Sequence, residues 1–105
     1  MRRGDIFALR QPEGMGDEQR GRRYRVVVQS DAFLPRSLVL VAPTTASVKP
    51  ASFRPEIEIE STLMRVLVEQ VGAVDVARLG DLAGCLTPEE QWGVDAALLV
   101  VLGLT

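Results

Sequence analysis

The chain of 105 residues contains no histidine and a single cysteine, Cys85. It therefore lacks the side chain that most often moves protons or binds metal ions near neutral pH. One cysteine cannot form a disulfide within the chain, and no imidazole is present to activate its thiol. We expect Cys85 to be a small buried hydrophobic residue of a protein in a reducing compartment. Because paired cysteines are also missing, the sequence predicts no metal and no cofactor.

Long hydrophobic runs are missing too. Residues 1–10 lack the apolar segment of a signal peptide, and the longest apolar stretch, 96–104, is shorter than the roughly 20 residues of a membrane span. Aromatic residues make up only 5%, but a composition of 47% hydrophobic and 25% charged residues is typical of a globular protein. The length suits one core. We predict a single cytoplasmic domain over residues 1–105.

Charge of each sign is unevenly distributed along the chain. Residues 1–54 contain ten Lys and Arg against five Asp and Glu, a net of +5, whereas residues 55–105 contain two against nine, a net of −7. The overall net charge of −2 hides this division. It predicts a basic face that binds a polyanion or an acidic partner.

Apolar runs between glycine and proline punctuation predict a mainly β fold. Expected strands cover 4–10, 23–30, 38–45, 56–60 and 64–71, with a brief sixth at 82–86, and Pro43 is expected to end the third. Residues 12–21 and 45–55 read as surface loops, and 74–82 as a short helical turn ending at Gly80. Valines 26–28 suggest burial on both faces of the second strand. A small barrel is favoured because closing the sheet removes exposed edges.

The C-terminal segment changes to a helical pattern. Thr87 at the N-cap, Pro88 at the first helical position and Glu90 two residues later form the signature of a capping box. The helix is apolar nearly all round, with two faces: Trp92, Ala96, Leu99 and Val100 on one, and Val94, Ala97, Leu98 and Val101 on the other. One small barrel covers only one such face, so we expect the second to form a subunit interface.

An arginine cluster is the main candidate for chemistry. It comprises Arg20, Arg22, Arg23 and Arg25, with Glu18 before it, and Thr44, Thr45, Ser47 and Lys49 lie near the second loop. Strand alternation sends Arg23 and Arg25 to one face and Tyr24 to the other. Spacing alone favours ordinary surface charge over a phosphate site, although the arginine fork suits phosphate oxygens. The glycines of 14–21 are not a P-loop, because no Lys-Ser/Thr follows and a strand comes next.

Several segments together carry a resemblance to a known family. They are RGDIFAL (3–9), GDEQRGRRYRVVVQSDAF (16–33), VLVAPTTASVKP (39–50), VLVEQVGAVDVARLG (66–80) and GCLTPEEQWGVDAALLVVLGL (84–104). In this order they resemble the MazF/PemK family of toxin endoribonucleases. The resemblance implies an SH3-like barrel with a C-terminal helix, a homodimer, sequence-selective cleavage of single-stranded RNA without metal, and a cognate antitoxin.

Individual positions carry over from the family's motifs. The family's essential arginine falls on Arg23, its essential threonine on Thr45, and its acid–amide pair on Glu18 and Gln19. Gln70 fills the glutamine of the fifth strand, with a structural or RNA-contacting role. Two departures stand out: Tyr24 replaces the proline usual after the arginine, and residues 60–67 lack the usual glycine-containing turn.

The implied reaction is attack of the RNA 2′-OH on its own phosphate, which leaves a 2′,3′-cyclic phosphate and a 5′-OH. Arg23 would stabilise the developing charge and Thr45 would donate a hydrogen bond to the phosphate. Glu18 is the candidate base, because a guanidinium stays protonated at neutral pH. The expected RNA contacts are Gln19, Arg20, Arg22, Arg25, Thr44, Ser47, Lys49, Phe53 and Gln70. Tyr24 could stack on a base or lie in the core, and we favour the core.

Two other functions remain open from the sequence. The first is a toxin of the same fold that binds gyrase and cuts nothing, although that branch acts through a Trp-Gly-Ile end and this chain ends VLGLT. The second is an RNA-binding module without activity, suggested by Tyr24. The antitoxin is expected to be small, acidic and partly disordered, and to compete with RNA for the basic face.

Overall fold

A computed structural model describes residues 1–10 and 23–105. These residues form seven strands and one helix: β1 (Asp5–Leu9), β2 (Tyr24–Val27), β3 (Leu38–Thr45), β4 (Glu56–Ile59), β5 (Thr62–Val66), β6 (Gly72–Asp75), β7 (Leu79–Cys85) and α1 (Pro88–Val101). Three single turns of 3-10 helix cover Asp31–Phe33, Val68–Gln70 and Val76–Arg78. The predicted loop at 12–21 lies outside the described residues. No described helix has the length and hydropathy needed to cross a membrane.

The strands form a curled antiparallel sheet in the order β4-β5-β3-β2-β1-β7, and β6 pairs with the start of β3. β3 is the longest strand and changes partners along its length. Residues 38–41 pair with β6, residues 41–43 with β2, and Thr44 and Thr45 with β5. The mainly β architecture with a C-terminal helix confirms the fold class predicted from the sequence.

Each face of the sheet has its own hydrophobic core. On one face Tyr24, Val26 and Val28 pack in a cluster that includes Val94 and Ala97 of α1. On the other face Val27 packs with residues of β3 and β7 in a smaller cluster. The exposed fraction of both Val26 and Val27 is 0%. Burial of the β2 valines on both faces is thus confirmed, and it holds this strand rigidly.

The helix begins as predicted. The Thr87 hydroxyl accepts a hydrogen bond from Glu90 N at 3.1 Å, and Glu90 Oε1 accepts one from Thr87 N at 2.9 Å. Glu90 Oε2 also accepts from Glu58 N at 2.8 Å, which ties the helix start to β4. The two helix faces differ as expected: Val94 and Ala97 are buried, whereas the face carrying Trp92 is exposed.

Pro43 does not end β3, which continues to Thr45. Pro43 pairs with Arg25, and its carbonyl oxygen accepts a hydrogen bond from Leu67 N at 2.8 Å. Proline removes only the N–H of a strand residue, so its carbonyl can still hold the next strand. The prediction that Pro43 stops the strand was wrong for this reason.

The fifth strand was also misplaced. β5 covers Thr62–Val66, and Val68–Gln70 form a 3-10 turn where the sequence predicted a continuing strand. Glu60 and Ser61 have φ values of 50° and 68° and form a two-residue turn between β4 and β5. Positive φ at both central residues is the requirement of a tight hairpin turn, which forms here without glycine.

The segment after β5 contains more strand than expected. β6 precedes the 3-10 turn Val76–Arg78, and Gly80 lies within β7 instead of ending a helical turn. A Cβ at Gly80 would lie 3.2 Å from Ala8 O, so close packing against β1 explains this glycine. Cys85, expected to be buried, is exposed at the end of β7.

Candidate active site

Arg23 lies immediately before β2, with its side chain exposed. Its carbonyl oxygen accepts a hydrogen bond from Leu9 N at 2.7 Å, which continues the pairing of β1 with β2. The backbone that carries this arginine is therefore held to β1. The side chain extends from a position just before the start of β2.

Thr45 is the last residue of β3, the strand that pairs with β2. The pairing ends at Arg25 and Pro43, and continuing its register by two residues would bring Arg23, which precedes β2, opposite Thr45. The intermediate pair is held by Thr44 Oγ1, which donates to Tyr24 O at 3.2 Å. Directly opposed residues project from the same face of a sheet and interact through their side chains. The two residues singled out from the sequence thus lie at the ends of neighbouring strands.

The Thr45 hydroxyl is oriented by the chain that follows it. Ser47 N donates to Thr45 Oγ1 at 3.2 Å, and Ser47 Oγ lies 3.3 Å from the same oxygen. Because Oγ1 already accepts a hydrogen bond from an amide, its own hydrogen can be donated to an incoming oxygen. Ser47 is therefore placed to position Thr45.

Positive charge is concentrated on this face. Arg25 is half-buried, and burial lowers its pKa from the ordinary value, with the positive charges of Arg23 and Arg78 lowering it further. Its guanidinium donates to Tyr24 O at 3.2 Å. Three arginines close enough to affect one another produce a positive potential that attracts an anion.

Two arginines of this region were not singled out from the sequence. Arg78 ends the 3-10 turn before β7 and lies near Arg25. Arg65 lies on β5 directly opposite Thr45. Arg65 reaches this end of the sheet through the pairing of β5 with β3, and Arg78 reaches it through the turn that leads into β7. The residues next to them in the sequence gave no signal of this beyond their charge.

Some residues expected to contact RNA lie elsewhere. Thr44 projects to the other face, where its hydroxyl donates a hydrogen bond to Tyr24 O and lies 4.0 Å from Met64 Sδ. Tyr24 is buried in the core, as favoured from the sequence, and its hydroxyl donates to Glu60 Oε1 at 2.8 Å. Gln70 is exposed on the 3-10 turn after β5. The structure does not bring Thr44 and Tyr24 together with the exposed side chain of Arg23.

The second expected loop has defined contacts. Lys49 is exposed, and Phe53 is half-buried beneath the Arg54 guanidinium, 4.9 Å from the ring centroid. Arg54 forms an ion pair with Glu69 at 2.8 Å. This pair fixes the segment that runs from β3 to β4.

The remaining predicted residues, Glu18, Gln19, Arg20 and Arg22, lie outside the described residues. Within 1–10 and 23–105, no three His, Cys, Asp or Glu side chains are grouped so that they could hold a metal ion.

Comparison with known proteins identifies a family for this chain. Residues 2–102 match the family of PemK-like, MazF-like toxins of type II toxin-antitoxin systems. A Mycobacterium tuberculosis protein provisionally named as a toxin is 42% identical over 90 residues, which cover 85% of this chain and 84% of that protein.

Solved structures show the same fold. An endoribonuclease from a mycobacterial species, solved in complex with its cognate antitoxin, matches with a TM-score of 0.80 at 19% identity, covering 100% of this chain and 97% of that one. MazF from Deinococcus radiodurans matches with a TM-score of 0.76 at 22% identity, covering 98% and 96%. With a family match over nearly the whole sequence, the chain belongs to the PemK-like, MazF-like toxins of type II toxin-antitoxin systems.

Proposed function

We propose that this chain, as a single toxin domain, is a sequence-selective endoribonuclease that cuts single-stranded RNA without a metal ion. The proposal rests on the β2–β3 register, which brings Arg23 and Thr45 to neighbouring strand ends, and on the arginines that surround them. A guanidinium beside a hydroxyl that can donate a hydrogen bond suits a phosphodiester that gains charge during cleavage. The fold shared with a mycobacterial endoribonuclease supports the same reaction class.

In the proposed reaction the 2′-oxygen of one ribose attacks the adjacent phosphorus. A bond from the 2′-oxygen to phosphorus forms, the bond from phosphorus to the 5′-oxygen breaks, and the products are a 2′,3′-cyclic phosphate and a 5′-OH. Arg23 stabilises the charge on the non-bridging oxygens, and Thr45 donates a hydrogen bond to one of them. A preorganised donor of this kind is worth roughly 3 kcal/mol in the transition state.

Two protons must move during this reaction. The proton of the 2′-OH goes to a base, for which we propose Glu18, and the 5′-oxygen receives a proton from an acid, for which Arg23 is the candidate. A guanidinium remains charged at neutral pH, so the electrostatic role is the principal one for Arg23. Removing the carboxylate of Glu18 should therefore slow cleavage and leave RNA binding in place.

The surrounding residues are proposed to bind the RNA chain. Arg20, Arg22 and Arg25 supply positive charge, while Gln19, Ser47, Lys49, Phe53 and Gln70 are the proposed contacts to bases and sugars. Thr44, expected from the sequence to contact RNA, is left out because its hydroxyl donates to Tyr24 O on the other face. Single-stranded RNA is read by stacking and by base edges presented from loops. The 45–55 segment, with Lys49 exposed and Phe53 half-buried, has suitable groups for both.

The proposed partners are a second copy of this chain and an acidic antitoxin, in the cytoplasm. The exposed apolar face of α1 supports the homodimer, because Trp92 and Val100 are 70% and 60% exposed in the single chain. The antitoxin is proposed to cover the basic face and to compete with RNA there. The structural neighbour solved with its cognate antitoxin supports such a pair.

The deciding experiment incubates the purified protein with a mixed single-stranded RNA and sequences the 5′ ends of the products. Cleavage at a recurrent sequence is expected, and it should persist in EDTA. Replacing the scissile nucleotide by its 2′-deoxy form should abolish cutting at that position. Continued cutting of the deoxy substrate excludes the 2′-OH as nucleophile, and activity that EDTA removes and magnesium restores contradicts the metal-free reaction.

A further inference from the structure

Arg65 occupies a position on β5 that extends the candidate active site by one strand. It is the direct partner of Thr45 across the β3–β5 pairing. Thr44 and Val66, the neighbouring pair, face the core, with Val66 0% exposed. Alternation along both strands therefore sends Thr45 and Arg65 to the outer face together.

Continued two residues past Arg25 and Pro43, the β2–β3 register aligns Arg23 with the Thr45–Arg65 pair in one row, which we name the basic row. Neighbouring strands lie about 4.8 Å apart, so the backbones of Arg23 and Arg65 are separated by about 10 Å, with Thr45 between them. Two arginine side chains at this spacing can contact neighbouring phosphates of one extended RNA strand.

The Arg65 guanidinium is held in position and forms no ion pair with any carboxylate of residues 1–10 and 23–105. Its Nη1 donates to Arg54 O at 2.8 Å, and the Arg54 side chain is itself fixed by Glu69. Within the described part of the chain this hydrogen bond uses one of five donors and leaves the other N–H groups to a ligand. The two ion pairs within residues 1–10 and 23–105 join Arg3 to Asp95 and Arg54 to Glu69.

Glu56 is the neighbouring acidic group on this face. It pairs with Arg65 across β4 and β5, and it is exposed and outside ion-pairing distance of the guanidinium. Its charge opposes an incoming phosphate and weakens the attraction that Arg65 exerts. Arg65 is therefore bounded by Thr45 on one side and by a repelling carboxylate on the other, which directs a phosphate toward Thr45.

We propose that Arg65 is a substrate-positioning residue that binds a phosphate of the RNA next to the one held by Arg23 and Thr45. The proposal rests on the proposed endoribonuclease function and adds a second phosphate site to it. Arg65 aligns the strand in the basic row and takes no part in bond making or proton transfer.

The test uses an RNA that the wild-type protein cuts, made uncleavable by 2′-deoxyribose at the scissile nucleotide. Arg65→Gln should raise the Kd for this RNA about tenfold, the size expected for losing one charged hydrogen-bonding contact. The slope of log binding constant against log salt should become shallower by roughly 0.7, the contribution of one phosphate contact in a single strand. Arg65→Lys should keep the slope because it keeps the charge, and Glu56→Gln should lower the Kd.

Arg2→Gln is the matched control, because Arg2 is exposed near the opposite end of β1 from the Leu9–Arg23 contact. It makes the same charge change and should leave the Kd and the salt slope close to wild type. Circular dichroism melting should show that Arg65→Gln folds like the wild-type protein. If Arg65→Gln binds with unchanged Kd and slope while the wild type cuts RNA, the role of Arg65 is wrong. If the wild type cuts no RNA, the proposed function is wrong and this role falls with it.

Discussion

The Tyr24 hydroxyl donates a hydrogen bond to Glu60 Oε1 at 2.8 Å, joining the start of β2 to the turn between β4 and β5. The two residues are distant in sequence, and the bond links the strand beside Arg23 to the hairpin that carries Arg65. Tyr24 is 8% exposed, so its ring is part of the core. The aromatic residue that departs from the family pattern thus has a structural function in this chain.

Tyr24→Phe should lower the free energy of unfolding by about 1 kcal/mol, because the ring still packs and the hydrogen bond to Glu60 is lost. Urea unfolding measures this change, and RNA cleavage should stay within a few-fold of wild type. Glu60→Gln keeps an acceptor and is the milder control. Loss of cleavage with unchanged stability would instead place the Tyr24 hydroxyl in the RNA site.

Arg23→Ala should reduce cleavage by several orders of magnitude while the protein remains folded. The Arg23 side chain is exposed, and its contact with Leu9 is made by its backbone carbonyl oxygen. Truncation of the side chain therefore removes charge without opening the core. Single-turnover cleavage and thermal melting should be measured together. Arg36→Ala, which removes another exposed arginine, serves as the control. A loss of tenfold or less would reduce Arg23 to a binding role.

Thr45 and Thr44 form a matched pair for testing which hydroxyl acts on RNA. Thr45→Val should slow cleavage by roughly a hundredfold, the lower range for loss of one preorganised donor, with little change in stability. Thr44→Val should leave a larger fraction of activity and lower the free energy of unfolding by about 1 kcal/mol, since it removes the hydrogen bond from Thr44 Oγ1 to Tyr24 O. Equal losses of cleavage in both variants would contradict the separation of the two threonines by face.

The Arg54–Glu69 pair should make stability depend on acid pH. Burial raises the pKa of Glu69, but hydrogen bonds from Arg54 and the backbone and the charge of Arg54 outweigh it, so the net pKa lies below the ordinary 4.5. A carboxyl with a depressed pKa in the folded state binds fewer protons than in the unfolded state. Its stabilisation is therefore present above pH 4.5 and is lost as the pH falls further.

Glu69→Gln should flatten this dependence. Its free energy of unfolding, measured in urea from neutral pH to below pH 4, should fall less on acidification than that of the wild type. Glu58→Gln, a change at an exposed carboxyl of β4, controls for general loss of negative charge. Parallel acid profiles for Glu69→Gln and the wild-type protein would mean that the ion pair contributes nothing to folding.

Sequence patterns predicted the structure correctly where the contacts that form it lie between residues close together in the chain. The capping box at Thr87 and Glu90 needs only contacts within one helical turn, and it was predicted to the residue. Along β4, Ile57 and Ile59 alternate with glutamates and are 1% and 2% exposed, so this short pattern coincides with the buried side of the strand. Each of these patterns is formed by residues within one short segment, so the segment's own sequence is enough to recognise it.

Features set by distant partners were not predictable in this way. Pro43 remains in a strand because Arg25 and Leu67 hold it from either side. The two-residue turn at Glu60 and Ser61 contains no glycine that would have indicated a turn in the sequence. Arg65 enters the candidate site only through the pairing of β5 with β3, a register that the sequence around Arg65 does not encode.

The exposure of Trp92 has a consequence for spectroscopy. It is the only tryptophan in the chain and is 70% exposed on the outer face of α1. In a separated chain its indole is already solvated, so its emission wavelength should change little on unfolding. When another surface covers this helix, the emission should shift to the blue and become protected from soluble quenchers. Intrinsic fluorescence therefore reports occupancy of the helix face, and folding has to be followed by another signal.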